Sequence, residues 1–268
     1  MATGPPGPRP RTASFGEHVY PFPPDAYPFQ RIMASLFGID GVSSESLCAL
    51  HTYFPGSDSL PQITFDQDTR TDFHRMVYTS PQFPKLVDCY RRFVKEVVLP
   101  PLADETGETV FLVQREPSVR VHLPNNTALG KRTGEAAGKD GPIGMHCDAD
   151  YNHPANEINF VLSVTGQAGT NSFYVESATG KGDFVPVELQ YGELFRFYGN
   201  RCRHYNRVNQ TGDTRISLDF RVIPGTVVEP AGARGTAVAA AVHSGRPFTA
   251  EVGGYYTIMR PAVVTAPS

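Results

Sequence analysis

The sequence predicts an antiparallel β-barrel or jelly roll behind an N-terminal helical layer, and three observations carry that expectation. Helical periodicity is confined to residues 29–108. From 109 to 225 the chain breaks into short β-type runs separated by Gly, Pro and Asn, with no helical pattern between them, which favours antiparallel packing over a parallel α/β sheet. The last run, 215–222, alternates polar and apolar side chains, as a strand with two unlike faces does.

Taken in order, residues 1–28 are rich in Pro and Gly and read as mostly irregular, with Tyr20, Phe22 and Tyr27 as packing points before Phe29. Phe29 to Phe37 carries a short helical pattern that Gly38 and Gly41 end. Another short helix is predicted over 71–77, with Thr71 or Asp72 placed to cap it. The clearest helix covers 84–98, where Leu86, Cys89, Tyr90, Phe93 and Val97 recur at helical steps, and it is expected to stop at Pro100-Pro101. Strands follow over 109–114, 118–123, 157–165, 171–176, 192–198 and 215–223. Residues 226–268 form an Ala-, Gly- and Val-rich extension to what reads as a single domain of 1–268. Its one distinctive piece, Gly253-Gly254-Tyr255-Tyr256, reads equally as a lid near a site or as an arm on the surface.

Bulk properties remove several function classes. The net charge is -3 and no cluster of Lys and Arg interleaves with aromatics, so nucleic acid is not an expected partner. No apolar run is long enough to span a bilayer and the N-terminus lacks a signal-peptide core, so a cytoplasmic protein without a membrane partner is expected. The four cysteines Cys48, Cys89, Cys147 and Cys202 contain no C-x-x-C pair, which argues for reduced thiols over a zinc ribbon or disulfide scaffold.

The chemistry-bearing residues lie in the β-rich half. On an extended backbone His146 and Asp148 share a side, and His204 is the natural third ligand. Two histidines and one carboxylate on one face of a metal, with open positions left over, describe a non-haem Fe(II) oxygenase site. An H-x-D alone arises often by chance; the ordered set with His204 and then Arg215-x-Ser217 is far more specific. Arg215 and Ser217 make a planar two-donor fork plus a hydroxyl, which suits one end of a dicarboxylate, although a solvated sheet face is the plainer account of the same alternation. Asp150 and His153 are weaker alternatives as ligands, His153 reading better as a substrate or structural hydrogen-bonding group.

This set resembles that of the Fe(II)/2-oxoglutarate-dependent dioxygenases. More narrowly, Asp150-Tyr151-Asn152-His153-Pro154, Gly169-Thr170-Asn171-Ser172, Gly182-Asp183-Phe184, Gly199-Asn200-Arg201-Cys202-Arg203-His204 and the run from Thr214 to Val222 resemble the StrG-like proteins associated with streptomycin-type biosynthesis, over about 111–225. The resemblance implies a double-stranded β-helix, a cupin-like jelly roll, with Fe(2+) on His146, Asp148 and His204. It implies 2-oxoglutarate as co-substrate, its far carboxylate on Arg215 and Ser217, and O2 as the other reactant, with succinate and CO2 as products. The small-molecule substrate would be hydroxylated by default; ring closure, desaturation and epimerisation are the variants. Gln114, Arg120, His122, His153, Asn159 and Glu176 are the candidate substrate contacts, each equally at home in a structural hydrogen bond. Acceptors such as Glu157, Glu176 and Asp183 would suit an aminocyclitol or amino sugar. Two other functions stay open: a metal-dependent cupin isomerase or dioxygenase that does not use 2-oxoglutarate, and a non-catalytic jelly-roll binding protein.

Overall fold

The computed structural model describes residues 17–39, 44–53, 63–65, 68–70, 72–125, 142–151, 153–225, 227–228, 238–243, 246–251 and 254–262. An edge strand β1 (His18–Pro21) precedes helices α1 (Phe29–Phe37), α2 (Ser44–Cys48) and α3 (Leu50–Tyr53). A small hairpin, β2 (Ile63–Phe65) and β3 (Asp68–Arg70), leads to α4 (Asp72–Thr79), α5 (Phe83–Phe93) and α6 (Leu99–Thr106). The strands of the β-rich half are β4 (Phe111–Gln114), β5 (Ser118–His122), β6 (Ile143–His146), β7 (Ile158–Ser163) and β8 (Phe173–Val175). They continue as β9 (Val185–Pro186), β10 (Glu193–Phe197), β11 (His204–Asn206) and β12 (Arg215–Pro224). The extension adds β13 (Val227–Val228), β14 (Val238–His243), β15 (Arg246–Glu251) and β16 (Tyr256–Met259).

Two antiparallel sheets make the jelly roll. The larger, of seven strands, runs β1-β10-β7-β12-β4-β16, with β5 pairing the first half of β12. The smaller runs β6-β11-β8-β9. Polar and apolar side chains alternate along the large sheet because its two faces meet different surroundings. On β12, Ile216, Leu218, Phe220 and Val222 point outward into one core with Phe160 and Leu162 of β7 and with Phe29, Met33, Leu86, Tyr90, Phe93 and Leu99 of the helices. Each such buried side chain contributes about 2 kcal/mol, so the helices are what keep this face out of water. A second, smaller core joins the inner faces: Val161, Phe195 and Phe197 of the large sheet against Phe173 and Val175 of β8. The sheet face that the alternation left open to solvent is therefore interior; Arg215 and Ser217 are 3% and 1% exposed.

α1 ends as its sequence predicts, at Gly38 with φ 66°, a left-handed conformation that costs little without a Cβ. The helix expected to stop at Pro100-Pro101 continues instead. Its turns widen to a π-helix over Val94–Val98, and α6 restarts at Leu99 with both prolines in the first turn, where their missing N–H groups are not required. Within the stretch read as irregular, β1 pairs with β10 as an edge strand, and within the extension β16 pairs with β4. Among the described residues, no helix is long and apolar enough to cross a membrane.

Candidate metal centre

His146 and His204 lie far apart in sequence and directly opposite each other in space. β6 and β11 are antiparallel neighbours whose register pairs these two residues, bringing the ring centroids to 4.4 Å. Asp148 joins them by a different route from the extended H-x-D that the sequence predicts. β6 ends at His146, and Asp148 opens a 3-10 turn, Asp148–Tyr151, held by its own N–H to the Gly199 carbonyl at 2.9 Å. Asp150 accepts the Cys147 N–H at 3.0 Å and so shapes this turn.

The ligand atoms are oriented before any cation arrives. Nδ1 of His146 is 2.6 Å from the Gly144 carbonyl and Nδ1 of His204 is 3.1 Å from the Cys202 carbonyl. A carbonyl only accepts, so each Nδ1 carries a hydrogen, and the neutral form of each ring has its lone pair at Nε2. Those Nε2 atoms lie 3.6 and 3.7 Å from Asp148 Oδ1. Oδ2 of Asp148 accepts from Asn159 Nδ2 at 2.7 Å and from Arg221 Nε at 3.1 Å, whereas Oδ1 is buried with no hydrogen-bond partner. Three acceptor atoms within 4.8 Å of one another, one an orphaned carboxylate oxygen, fit a divalent cation.

Electrostatics point the same way. Burial alone raises the Asp148 carboxyl, but His146, Arg221, His204 and Asn159 outweigh it and hold the group well below the usual carboxylate range. Burial pushes the His204 imidazole down to about 4, only partly opposed by Asp148, so it stays a neutral ligand. Gly199 completes the support. A Cβ there would come within 2.7 Å of the Asn159 side chain that donates to Asp148.

A cavity opens beside the triad between the two sheets, lined by His146, His204, Asn159, Asn206, Arg120 and Arg215 with Phe173, Phe197 and Val161. Arg215 has a buried Nε without a hydrogen-bond partner, and Asp219, whose charge favours the guanidinium, is already engaged by Arg120 at 2.7 Å. Burial pushes Arg215 down to about 10, with Arg120 adding to the effect. Ser217, two residues along the same face, is buried beside it, its hydroxyl 3.5 Å from Asp219.

The other sequence candidates divide. Arg120 and Asn159 line the cavity. Gln114 is held by the Glu116 carbonyl, the Ser118 hydroxyl and Tyr255, and His122 is fully buried with Nδ1 3.2 Å from the Asn171 carbonyl. Glu176 accepts the backbone N–H groups of Arg203 and Gly182 and so ties two loops together. His153 lies 2.9 Å from Glu157. Glu157 is buried in a network with Arg221 and the Tyr256 hydroxyl, and Asp183 caps Ser177.

Sequence reasoning missed Arg221 and Asn206. Arg221 is on the same face of β12 as Arg215, and Asn206 is two residues beyond His204, so strand periodicity was the available signal for both. Tyr255 and Tyr256 sit at the site: Arg221 Nη1 donates to the Tyr255 hydroxyl at 2.9 Å, and the Tyr256 hydroxyl donates to Glu157.

Fold and site together define a jelly-roll protein with a candidate cation site of two histidines and one aspartate beside a cavity lined by both sheets. No family model matches the chain. It is 32% identical over 167 residues to the streptomycin biosynthesis protein StrG of Streptomyces griseus, a match that spans 62% of this chain and 70% of that protein. The chain belongs to the family of StrG. Among solved structures, it is similar to EctD from S. alaskensis with bound Fe, at TM-score 0.41 and 14% identity over 78% of this chain and 73% of that one. It is also similar to HygX from Streptomyces hygroscopicus with nickel, 2-oxoglutarate and hygromycin B bound, at TM-score 0.37 and 14% identity over 80% and 85%.

Proposed function

We propose that this protein is a non-haem Fe(II)/2-oxoglutarate-dependent oxygenase that oxidises a small polar metabolite. One observation carries the reading: the two imidazoles that meet an orphaned carboxylate oxygen line a cavity with a buried arginine whose Nε has no hydrogen-bond partner. His146, Asp148 and His204 would hold Fe(II), and Arg215 with Ser217 would hold the far carboxylate of 2-oxoglutarate. When bound, the iron supplies the one-electron chemistry that couples O2 and 2-oxoglutarate, giving succinate and CO2, to oxidation of the substrate.

The chain's own residues do the positioning. The carbonyls of Gly144 and Cys202 fix both imidazole tautomers, and Asn159 and Arg221 fix the carboxylate, so little reorganisation remains when the cation enters. Arg215 offers a charge already stripped of water, which strengthens its grip on a carboxylate. Phe173, Phe197 and Val161 give the cavity an apolar wall suited to the methylene chain of the co-substrate. Kinship with StrG supports an aminocyclitol or amino sugar of secondary metabolism as the substrate class, with hydroxylation, cyclisation, desaturation or epimerisation as outcomes. The cytoplasm suits the reaction, and all four cysteines are free thiols.

Anaerobic Fe(II) followed by 2-oxoglutarate should produce a visible charge-transfer band, and aerobic turnover should release succinate. Undiminished succinate formation by an Asp148→Ala protein would overturn the assignment of the centre. A metal site that 2-oxoglutarate leaves spectroscopically unchanged would turn the reading towards a cupin of other chemistry or a binding protein.

A further inference from the structure

We propose that Arg221 is the positioning residue of the metal-binding carboxylate and that Tyr255, brought in by the C-terminal strand, holds Arg221 in place. The inference rests on the metal-centre reading above and assigns work to residues outside the ligand set. Arg221 Nε donates to Asp148 Oδ2 at 3.1 Å and forms an ion pair with Glu157 Oε1 at 3.1 Å, so one guanidinium faces two buried carboxylates. Its Nη1 donates to the Tyr255 hydroxyl at 2.9 Å, and that hydroxyl donates onward to Gln114 Oε1 at 2.8 Å. The Gln114 amide is itself fixed, because its Nε2 donates to the Glu116 carbonyl and the Ser118 hydroxyl at 2.9 and 3.1 Å. Donation therefore runs two ways from Arg221: through Nε to the oxygen of Asp148 that faces away from the imidazoles, and through Nη1 by way of Tyr255 to Gln114, which fixes the guanidinium plane.

The charge balance shows that this is more than a means of holding a cation. A guanidinium placed against the metal-binding carboxylate repels a divalent ion, so affinity alone does not explain it. Glu157 offsets that repulsion. Asp148, Glu157 and Arg221 together carry one net negative charge, with both carboxylates buried. What the arrangement adds is geometry: Oδ2 is occupied by Asn159 and Arg221, so Asp148 has only Oδ1 to give and would hold a cation through that one oxygen. Freed of Arg221, the carboxylate can turn and chelate through both. Tyr256, in register with Gln114 across β16 and β4, donates to Glu157 and so anchors the second carboxylate from the same strand end.

The test uses cobalt(II) bound to the full-length protein in place of iron, read by its ligand-field absorption, alongside thermal unfolding of the metal-free form. Arg221→Gln is expected to shift the d–d bands and change their intensity, Arg221→Lys to return them towards wild type, and Tyr255→Phe to move them less in the same direction. Bands unchanged in Arg221→Gln, whether Co(II) binds more tightly or the protein melts earlier, would reduce Arg221 to an electrostatic or stabilising group and overturn the proposal. Should Arg221→Gln fail to fold, Tyr255→Phe decides it, and wild-type bands there overturn it. Bands that move in the Arg221 variants and not in Tyr255→Phe remove the C-terminal tyrosine from the scheme. A wild-type protein with no Co(II) bands would instead sink the metal centre, and this inference with it.

Discussion

Arg215 and Arg221 are the same residue type on the same face of the same strand, and their surroundings are opposite. Arg221 is enclosed by Asp148, Glu157 and the Tyr255 hydroxyl; burial alone lowers its pKa, but these partners outweigh burial and raise it above the arginine range. Arg215 is as deeply placed, has a buried Nε without a partner, and is pushed down to about 10. A protein keeps a buried charge only where something neutralises it. For Arg221 those partners are built into the fold, whereas Arg215 has only Asp219, which Arg120 already engages. In the proposed reading, folding completes the surroundings of Arg221 and a bound carboxylate completes those of Arg215.

The largest effect that would sharpen this comparison is at Arg221. Arg221→Gln leaves two buried carboxylates facing each other and should lower the unfolding free energy of the metal-free protein by about 3–5 kcal/mol in urea titrations. Arg215→Met should instead leave stability unchanged or raise it by about 1–2 kcal/mol, since it removes a desolvated charge. Equal destabilisation by both would break the comparison. In the same Arg215→Met protein, 2-oxoglutarate binding measured by calorimetry should weaken by on the order of 100-fold. A smaller loss is expected for Gly199→Ala, where the new Cβ displaces Asn159 from Asp148: about tenfold in Co(II) affinity, with wild-type affinity as the contrary result.

The smallest effect is in pH. The folded protein resists protonating His204 until about 4, while the unfolded chain takes that proton near 6.5, so unfolded chains bind more protons between these values. Stability of the metal-free protein should therefore fall as pH drops from about 6.5 towards 4. Asp148 stays ionised in both states until about 3.8 and does not offset this. A urea midpoint flat across that window would mean that His204 is less buried than the fold places it.

Much of the centre was legible because strand periodicity is local. Alternation on β12 put Arg215, Ser217 and Arg221 on one face whatever that face met, and the H-x-D, His and R-x-S order marked the ligands. The path of Asp148 was not legible, because β6 stops at His146 and the next residues turn through contacts with Gly199 and Asp150. Nor was the helix through Pro100-Pro101, since a π-turn upstream changes which residues need a donor. Gln114, His122 and Glu176 are polar residues on or beside core strands, and only their partners show that each is occupied by structural hydrogen bonds.

By itself the sequence determined the fold class, the ligand types and the face of β12 that carries charge, since these follow from residue identity and a two-residue period. Tertiary structure decided that this face looks into the barrel, that His146 and His204 sit opposite each other, and that Tyr255 and Tyr256 reach the centre. It also decided which arginine is neutralised and which is left open. Those outcomes depend on register and on long-range neighbours, because desolvation and Coulomb energy act through space between residues that the chain order keeps far apart.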